Sequence, residues 1–168
     1  MNRFEILNYI CGILQKHDVN YIIIGGMSVA YYGYSRITTT SSGIETDKYD
    51  IDILYQPTLT NNFNLIKCLN EFGFDQHGGG LTDFHIYRKE FNEYSLDFLP
   101  YLPFMFHSSI SEKRNKFSSL YNNRNISTFD NNVNINFVSL EDLIEMKEIS
   151  GRPKDIEDIK NLKGINGL

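Results

Sequence analysis

The sequence predicts an α+β fold, an α/β-type two-layer sandwich, from three observations. The hydrophobic period switches repeatedly between helical and strand spacing. The elements run helix, strand, helix, strand, helix and then further strands. No linker or internal repeat divides the 168 residues, so residues 1–168 read as a single domain, long enough to bury a core without disulfide or metal staples.

Taken in order, residues 3–16 set Phe4, Leu7, Ile10, Cys11 and Leu14 at three- and four-residue steps, the stripe of an amphipathic helix. "NYIII", 20–24, is a short apolar strand ended by Gly25 and Gly26. "MSVAYYGY", 27–34, predicts a helix stopping near Gly33. Residues 36–48 are rich in Ser, Thr and Gly without a period, which predicts a loop. The strand "YDIDILYQP", 49–57, precedes a helix over about 60–72 that carries Phe63, Ile66, Leu69 and Phe72 on one stripe. "QHGGGLT", 76–82, is a turn, and "DFHIYRK" and "YSLDFLPYL" are two strands after it. Past Pro103 only "NISTF" and "VNINFV" read as strands. Ser139 caps "LEDLIEMKEIS", with Asp142 three residues on, and Pro153 opens a last helix over "PKDIEDIKNL".

Composition narrows the function. With 41% hydrophobic and 22% charged residues the chain is of ordinary globular type, and its net charge of −5 argues against a broad phosphate-binding surface. Any nucleic-acid contact is therefore confined to a local pocket. Cys11 and Cys68 lie within helical patterns and form no C-x-x-C pair, the pattern of buried thiols in a reducing compartment. The N-terminus has no signal-peptide pattern and no segment approaches ~18 apolar residues, so the expectation is a cytoplasmic protein without a membrane partner. His17, His77, His85 and His107 show no metal-ligand spacing.

The chemistry begins with Asp50 and Asp52. Side chains at i and i+2 of a strand share a face, so the two acids lie side by side while Ile51 and Ile53 face the other way. Like charges that close repel unless something positive sits between them. Taken alone, the pair also reads as the solvated face of an edge strand. Asp97, in "SLDFLP", adds a third acid among apolar neighbours, where a carboxylate is costly unless paired or metal-bound. Three carboxylates from two strands suit one or two divalent cations, with oxygen ligands of the kind Mg²⁺ prefers. Upstream, the Gly25-Gly26 turn lets backbone N–H groups approach a phosphate, although it also reads as a plain tight turn. Arg36 stands where it could supply a charged fork to the same phosphates or could lie solvated on the surface. A phosphate cradle beside a metal cage is the equipment of phosphoryl or nucleotidyl transfer.

"IIIGGMSVAYYGYSRIT", "YDIDILY" and "SLDFLP" together resemble the nucleotidyltransferase superfamily with the polymerase-β-type fold. The tail "SLEDLIEMKEISGRPKDIEDIKNL" is similar to the endings of its AbiEii toxin-like and minimal-nucleotidyltransferase branch. The resemblance covers residues 20–55, 84–99 and 137–162. It implies a small mixed sheet flanked by helices, two Mg²⁺ ions and an NTP as donor. It also implies that Gly25, Gly26 and Ser28 touch the triphosphate, and that Asp50, Asp52 and Asp97 are catalytic and hold metal, with Asp97 helping to activate the acceptor hydroxyl. Lys147 and Arg152 would face the phosphates or the acceptor, with Asp155 and Asp158 bracing that helical ending; the two cations also suit a helix C-terminus. Position 26 is Gly where many members have Ser, and a long loop separates Arg36 from Asp50. Its placement predicts a lid over the nucleotide from 37 to 48, the alternative being a solvated insertion with no role.

Two functions remain open on the sequence. One is an Mg²⁺-dependent enzyme moving NMP from an NTP to a hydroxyl on a tRNA, a protein or a small molecule, in a toxin–antitoxin or phage-defence setting. The other is a catalytically silent module with a cognate toxin or antitoxin protein as partner. The intact acids favour the enzyme.

Overall fold

The computed structural model describes residues 2–35, 48–75 and 84–168, together with the backbone of 38–39 and 45–46. Helix α1, Arg3–Lys16, is nucleated by a reciprocal cap: Asn2 Oδ1 accepts from the Phe4 and Glu5 N–H groups, and Glu5 Oε2 accepts from the Asn2 N–H. Strand β1, Tyr21–Ile24, runs directly into α2, Gly25–Tyr31. Strand β4, Tyr49–Tyr55, leads through Thr58, whose hydroxyl caps the next turn, into α3, Leu59–Glu71. Strands β5, Tyr87–Glu90, and β6, Tyr94–Leu99, form an edge hairpin. Helix α4, Ile110–Asn123, the hairpin β7, Asn125–Phe129, and β8, Val133–Phe137, then α5, Leu140–Ser150, and α6, Pro153–Asn166, complete the chain.

Six strands form one mixed sheet in the order β5-β6-β4-β1-β8-β7. β6 and β4 are parallel, as are β1 and β8, and the remaining neighbours are antiparallel. Helices flank both faces. Leu7, Ile10 and Leu14 of α1 and Leu65 and Leu69 of α3 pack on Ile51, Ile53 and Phe98. On the other face Phe117, Leu120, Leu143 and Leu162, from α4, α5 and α6, pack on Ile22, Ile24 and Leu54. Ile51 and Ile53 are fully buried, and each such side chain contributes ~1.5–3 kcal/mol through its removal from water. The alternation of β4 thus sends its isoleucines to one core and leaves Asp50 and Asp52 on the opposite face.

The expected mixed sheet flanked by helices is present, with local differences. The helix expected over 27–34 starts at Gly25 and ends at Tyr31, ahead of Gly33 at φ +98°. The third strand stops at Leu99, ahead of Pro100, which has no N–H for the ladder, and its partner β5 starts at Tyr87. Within the stretch expected to be a plain loop, β2, Thr38–Thr39, pairs with β3, Glu45–Thr46. Otherwise the lid expected over 37–48 lies outside the described residues up to 47, as do Arg36 and the turn expected over 76–82. Finally, α4 is a helix that sequence patterning missed. Only Phe117 and Leu120 of it are buried, too sparse a stripe to show a period, although the Ser109/Glu112 capping box was legible.

Both cysteines are buried, and burial pushes each thiol up to about 12, which keeps them inert at neutral pH. Among the described residues no helix is long and apolar enough to cross a membrane. If α4 belongs to the core through these two side chains, Leu120→Ala should cost ~2–5 kcal/mol in denaturant unfolding, while the exposed neighbour Ser119→Ala should stay within ~0.5 kcal/mol. Equal effects would show that α4 is not anchored through Leu120.

Candidate active site

The acids converge because of strand register. Ile24, the last residue of β1, pairs with Asp52 of β4, and Asp52 pairs in turn with Asp97 of β6. Parallel partners in register share a face, so Asp52 and Asp97 lie side by side, with Asp50 two residues up the same strand and opposite Ser95. None of the three points across the sheet.

Gly25 closes the site from the β1 side. Its φ is +66°, the left-handed region that favours glycine, and a Cβ built there would lie 2.3 Å from Asp52 Oδ2, so a side chain would also have to push that carboxylate aside. At Gly26 an added Cβ meets nothing within 4 Å, so the serine common at this position in the resembling proteins would fit. Ser28 is fully buried and donates its hydroxyl to the Ile23 carbonyl at 2.8 Å. The structure therefore ties Ser28 to the strand behind the turn and does not bring it to the acids.

Each acid meets a different environment. Asp50 is exposed and accepts from the Ser95 hydroxyl at 2.5 Å. Asp97 is 4% exposed, and the Arg88 guanidinium forks onto it, Nε to Oδ1 at 2.7 Å and Nη2 to Oδ2. Asp52 is pushed up to about 6, first by burial and then by the charges of Asp97 and Asp50, against the pull of Arg88 and Lys154.

Facing this edge of the sheet is the corner between α5 and α6. Lys147 Nζ donates to Asp155 Oδ1 at 3.2 Å and to Asp158 Oδ2 at 2.6 Å, and Arg152 forks onto Asp155 at 2.6 and 3.2 Å. Both acids are fully buried. Burial alone would raise the Asp155 carboxyl, but hydrogen bonds from Arg152, Ser150 and Lys147 outweigh it and hold Asp155 well below the usual carboxylate range. The corner itself is made by Gly151 at φ +60° and by Pro153 in the first turn of α6.

Between the two walls lies a cleft of about 610 Å³. Gly25, Asp52, Asp97 and Arg88 line one side, Lys147 and Arg152 the other, and Leu102, Phe104, Met146 and Ile149 form an apolar flank. Gly26, Ser28 and Asp50 are not among its lining residues. A second hollow of about 480 Å³ near Phe4 and Phe129 gathers a single charged side chain, Arg3. Sequence reading missed Arg88 and the apolar flank. Arg88 is one of several basic residues in "DFHIYRK", and only the register Arg88↔Asp97 distinguishes it.

The pattern of one protein family, described as "Nucleotidyltransferase of unknown function (DUF6036)", matches residues 4–167. The chain belongs to that nucleotidyltransferase family. No curated protein matches the sequence closely enough to count as a relative. Among solved structures, this nucleotidyltransferase is similar to the lincosamide antibiotic adenylyltransferase LnuA in its lincomycin-bound form, with 19% identity, a TM-score of 0.59 and 98% of each chain covered. It is also similar to an antigenic nucleotidyltransferase-like protein from Paracoccidioides brasiliensis, with 16% identity and a TM-score of 0.55, over 96% of this chain and 75% of the other. At these identities the likeness is one of fold.

The donor set of the nucleotidyltransferase fits a hard divalent cation in chemistry: carboxylate oxygens, on one face, at a cleft. It is not preassembled, for among the described residues no three His, Cys, Asp or Glu side chains close on one ion position. The strain shows in pH. Between the ordinary value of 3.8 and about 6, the folded protein holds a proton on Asp52 that the unfolded chain has lost, so stability falls as pH rises through that window and the loss is complete above it. In EDTA at pH 7.5, Asp52→Asn should therefore be more stable than the natural protein by ~1–3 kcal/mol, and the gap should close near pH 4. A variant that is less stable at both values would show that Asp52 carries no such charge penalty.

Proposed function

We propose that the protein transfers a nucleoside monophosphate from an NTP to a hydroxyl group on a small molecule, with a divalent cation, Mg²⁺, held by Asp52, Asp97 and Asp50. One observation carries this reading: Asp52 and Asp97 stand in register on adjacent strands, with Gly25 directly against Asp52. Bound there, the cation, or a pair of them, would neutralise charge on the transferred phosphoryl group. Gly25 and Gly26 offer backbone N–H groups to the triphosphate where no side chain intervenes. Arg152, 58% exposed in its side chain, and Lys147 present positive charge from the far wall, and Asp155 and Asp158 hold them in place. Asp97 takes the proton as the acceptor oxygen attacks the α-phosphorus, and pyrophosphate leaves as the α–β anhydride bond breaks. Arg36 would join the phosphate contacts.

The cleft volume falls in the range of small-molecule sites, and its apolar flank suits an acceptor with a hydrophobic body. The full-length likeness to a lincosamide adenylyltransferase supports a small-molecule acceptor over a tRNA or a protein, and makes ATP the first donor to test. The similarity of the tail to AbiEii-like and minimal nucleotidyltransferases supports a place in a toxin–antitoxin or phage-defence system. The retained acids support an active enzyme over a silent partner.

Calorimetry with ATP tests the donor site. Binding should need Mg²⁺, and Asp52→Asn should remove at least ~10-fold of the metal-dependent affinity, as expected for loss of one partner in a buried charged contact. Affinity that is equal in EDTA and Mg²⁺ would refute a metal-bridged triphosphate.

A further inference from the structure

The Arg88–Asp97 fork has a consequence beyond catalysis by the acids. We propose that Arg88 is a positioning residue that stands in for the cation: it neutralises Asp97 before metal arrives, yields that carboxylate when metal binds, and turns to the phosphates of the donor. This rests on the nucleotidyl-transfer reading above.

The two partners differ in freedom. Asp97 is 4% exposed, on a strand paired on both sides. The Arg88 side chain is 65% exposed, on the edge strand β5, and lines the cleft. When the contact breaks, the arginine is the side that moves. The fork takes an oxygen of Asp97 with each of two N–H groups, so those directions are closed to an ion. A dication placed between Asp52 and Asp97 would also sit against a fixed guanidinium charge, which repels it. The arrangement accounts for the lack of a preassembled three-acid ion site among the described residues.

Displaced toward the cleft, Arg88 meets the space in which a triphosphate would lie, and a planar fork suits a phosphate as well as a carboxylate. Metal alone has to break the fork without recompense. Metal arriving with a triphosphate gives Arg88 a new anion, so the two ligands should load cooperatively.

Mn²⁺ binding, read from the EPR signal of the free ion, tests this with and without the non-hydrolysable analogue α,β-methylene-ATP. Arg88→Gln should bind Mn²⁺ alone roughly tenfold more tightly than the natural protein, and the analogue should enhance Mn²⁺ binding less than it does in the natural protein. Arg88→Lys keeps the charge without the fork and should fall between them; it also carries the test should the glutamine variant fail to fold. Damage to the fold would weaken metal binding, so tighter binding is a result that a purely structural role cannot give. Mn²⁺ affinity in either folded variant equal to or weaker than that of the natural protein overturns the role of Arg88 and leaves the nucleotidyl-transfer reading standing. Absence of Mn²⁺ binding in all three proteins overturns both.

Discussion

Pairing across three neighbouring strands, β1, β4 and β6, is the constraint on which the site depends. Ile24, Asp52 and Asp97 stand in one row across the sheet, and the row exists only in this register. A slip of one residue in β4 would turn Asp50 and Asp52 into the packing of α1 and α3 and expose Ile51 and Ile53. The apolar core and the acidic site are thus selected by the same alternation. Burial of the isoleucines, not attraction among the acids, supplies the force that brings like charges together.

Charge then divides the cleft into two unlike walls. On the α5–α6 side two cations meet two buried acids, and every distance is that of a formed ion pair or hydrogen bond. Such a closed group holds its geometry, and the depressed carboxyl of Asp155 shows that ionised partners are favoured there. The sheet wall carries Asp52 and Asp97 against the nearby charge of Arg88, with Asp50 outside the cleft, and the Asp52 carboxyl is pushed up to about 6. On the first wall two cations balance two acids. The second is short of positive charge, which is the condition for binding a cation with its anionic partner.

What the sequence revealed follows from how local each signal is. Asp50, Asp52 and their alternating isoleucines are read from one strand, and Gly25 from the junction of strand and helix, so both were legible. The fork of Arg88 depends on an antiparallel register with a strand reached through a separate turn, and no spacing in "DFHIYRK" announces it. Helix α4 escaped because two buried side chains do not make a period, although its capping box was present. Ser28 was assigned to phosphate by position in a motif, whereas the backbone carbonyl of Ile23, five residues earlier, claims its hydroxyl.

Gly25 joins these levels in a single residue. Its positive φ turns β1 into α2, and its missing Cβ leaves the 2.3 Å that Asp52 Oδ2 occupies. A side chain there would have to push the Asp52 carboxylate aside, on a strand whose backbone is paired on both sides. The same glycine therefore shapes the turn and admits the acid to the cleft. Gly26, with nothing within 4 Å of an added Cβ, carries neither demand. Of the two glycines that look alike in sequence, one is held to glycine by its positive φ and by the acid beside it, and the other is under neither constraint.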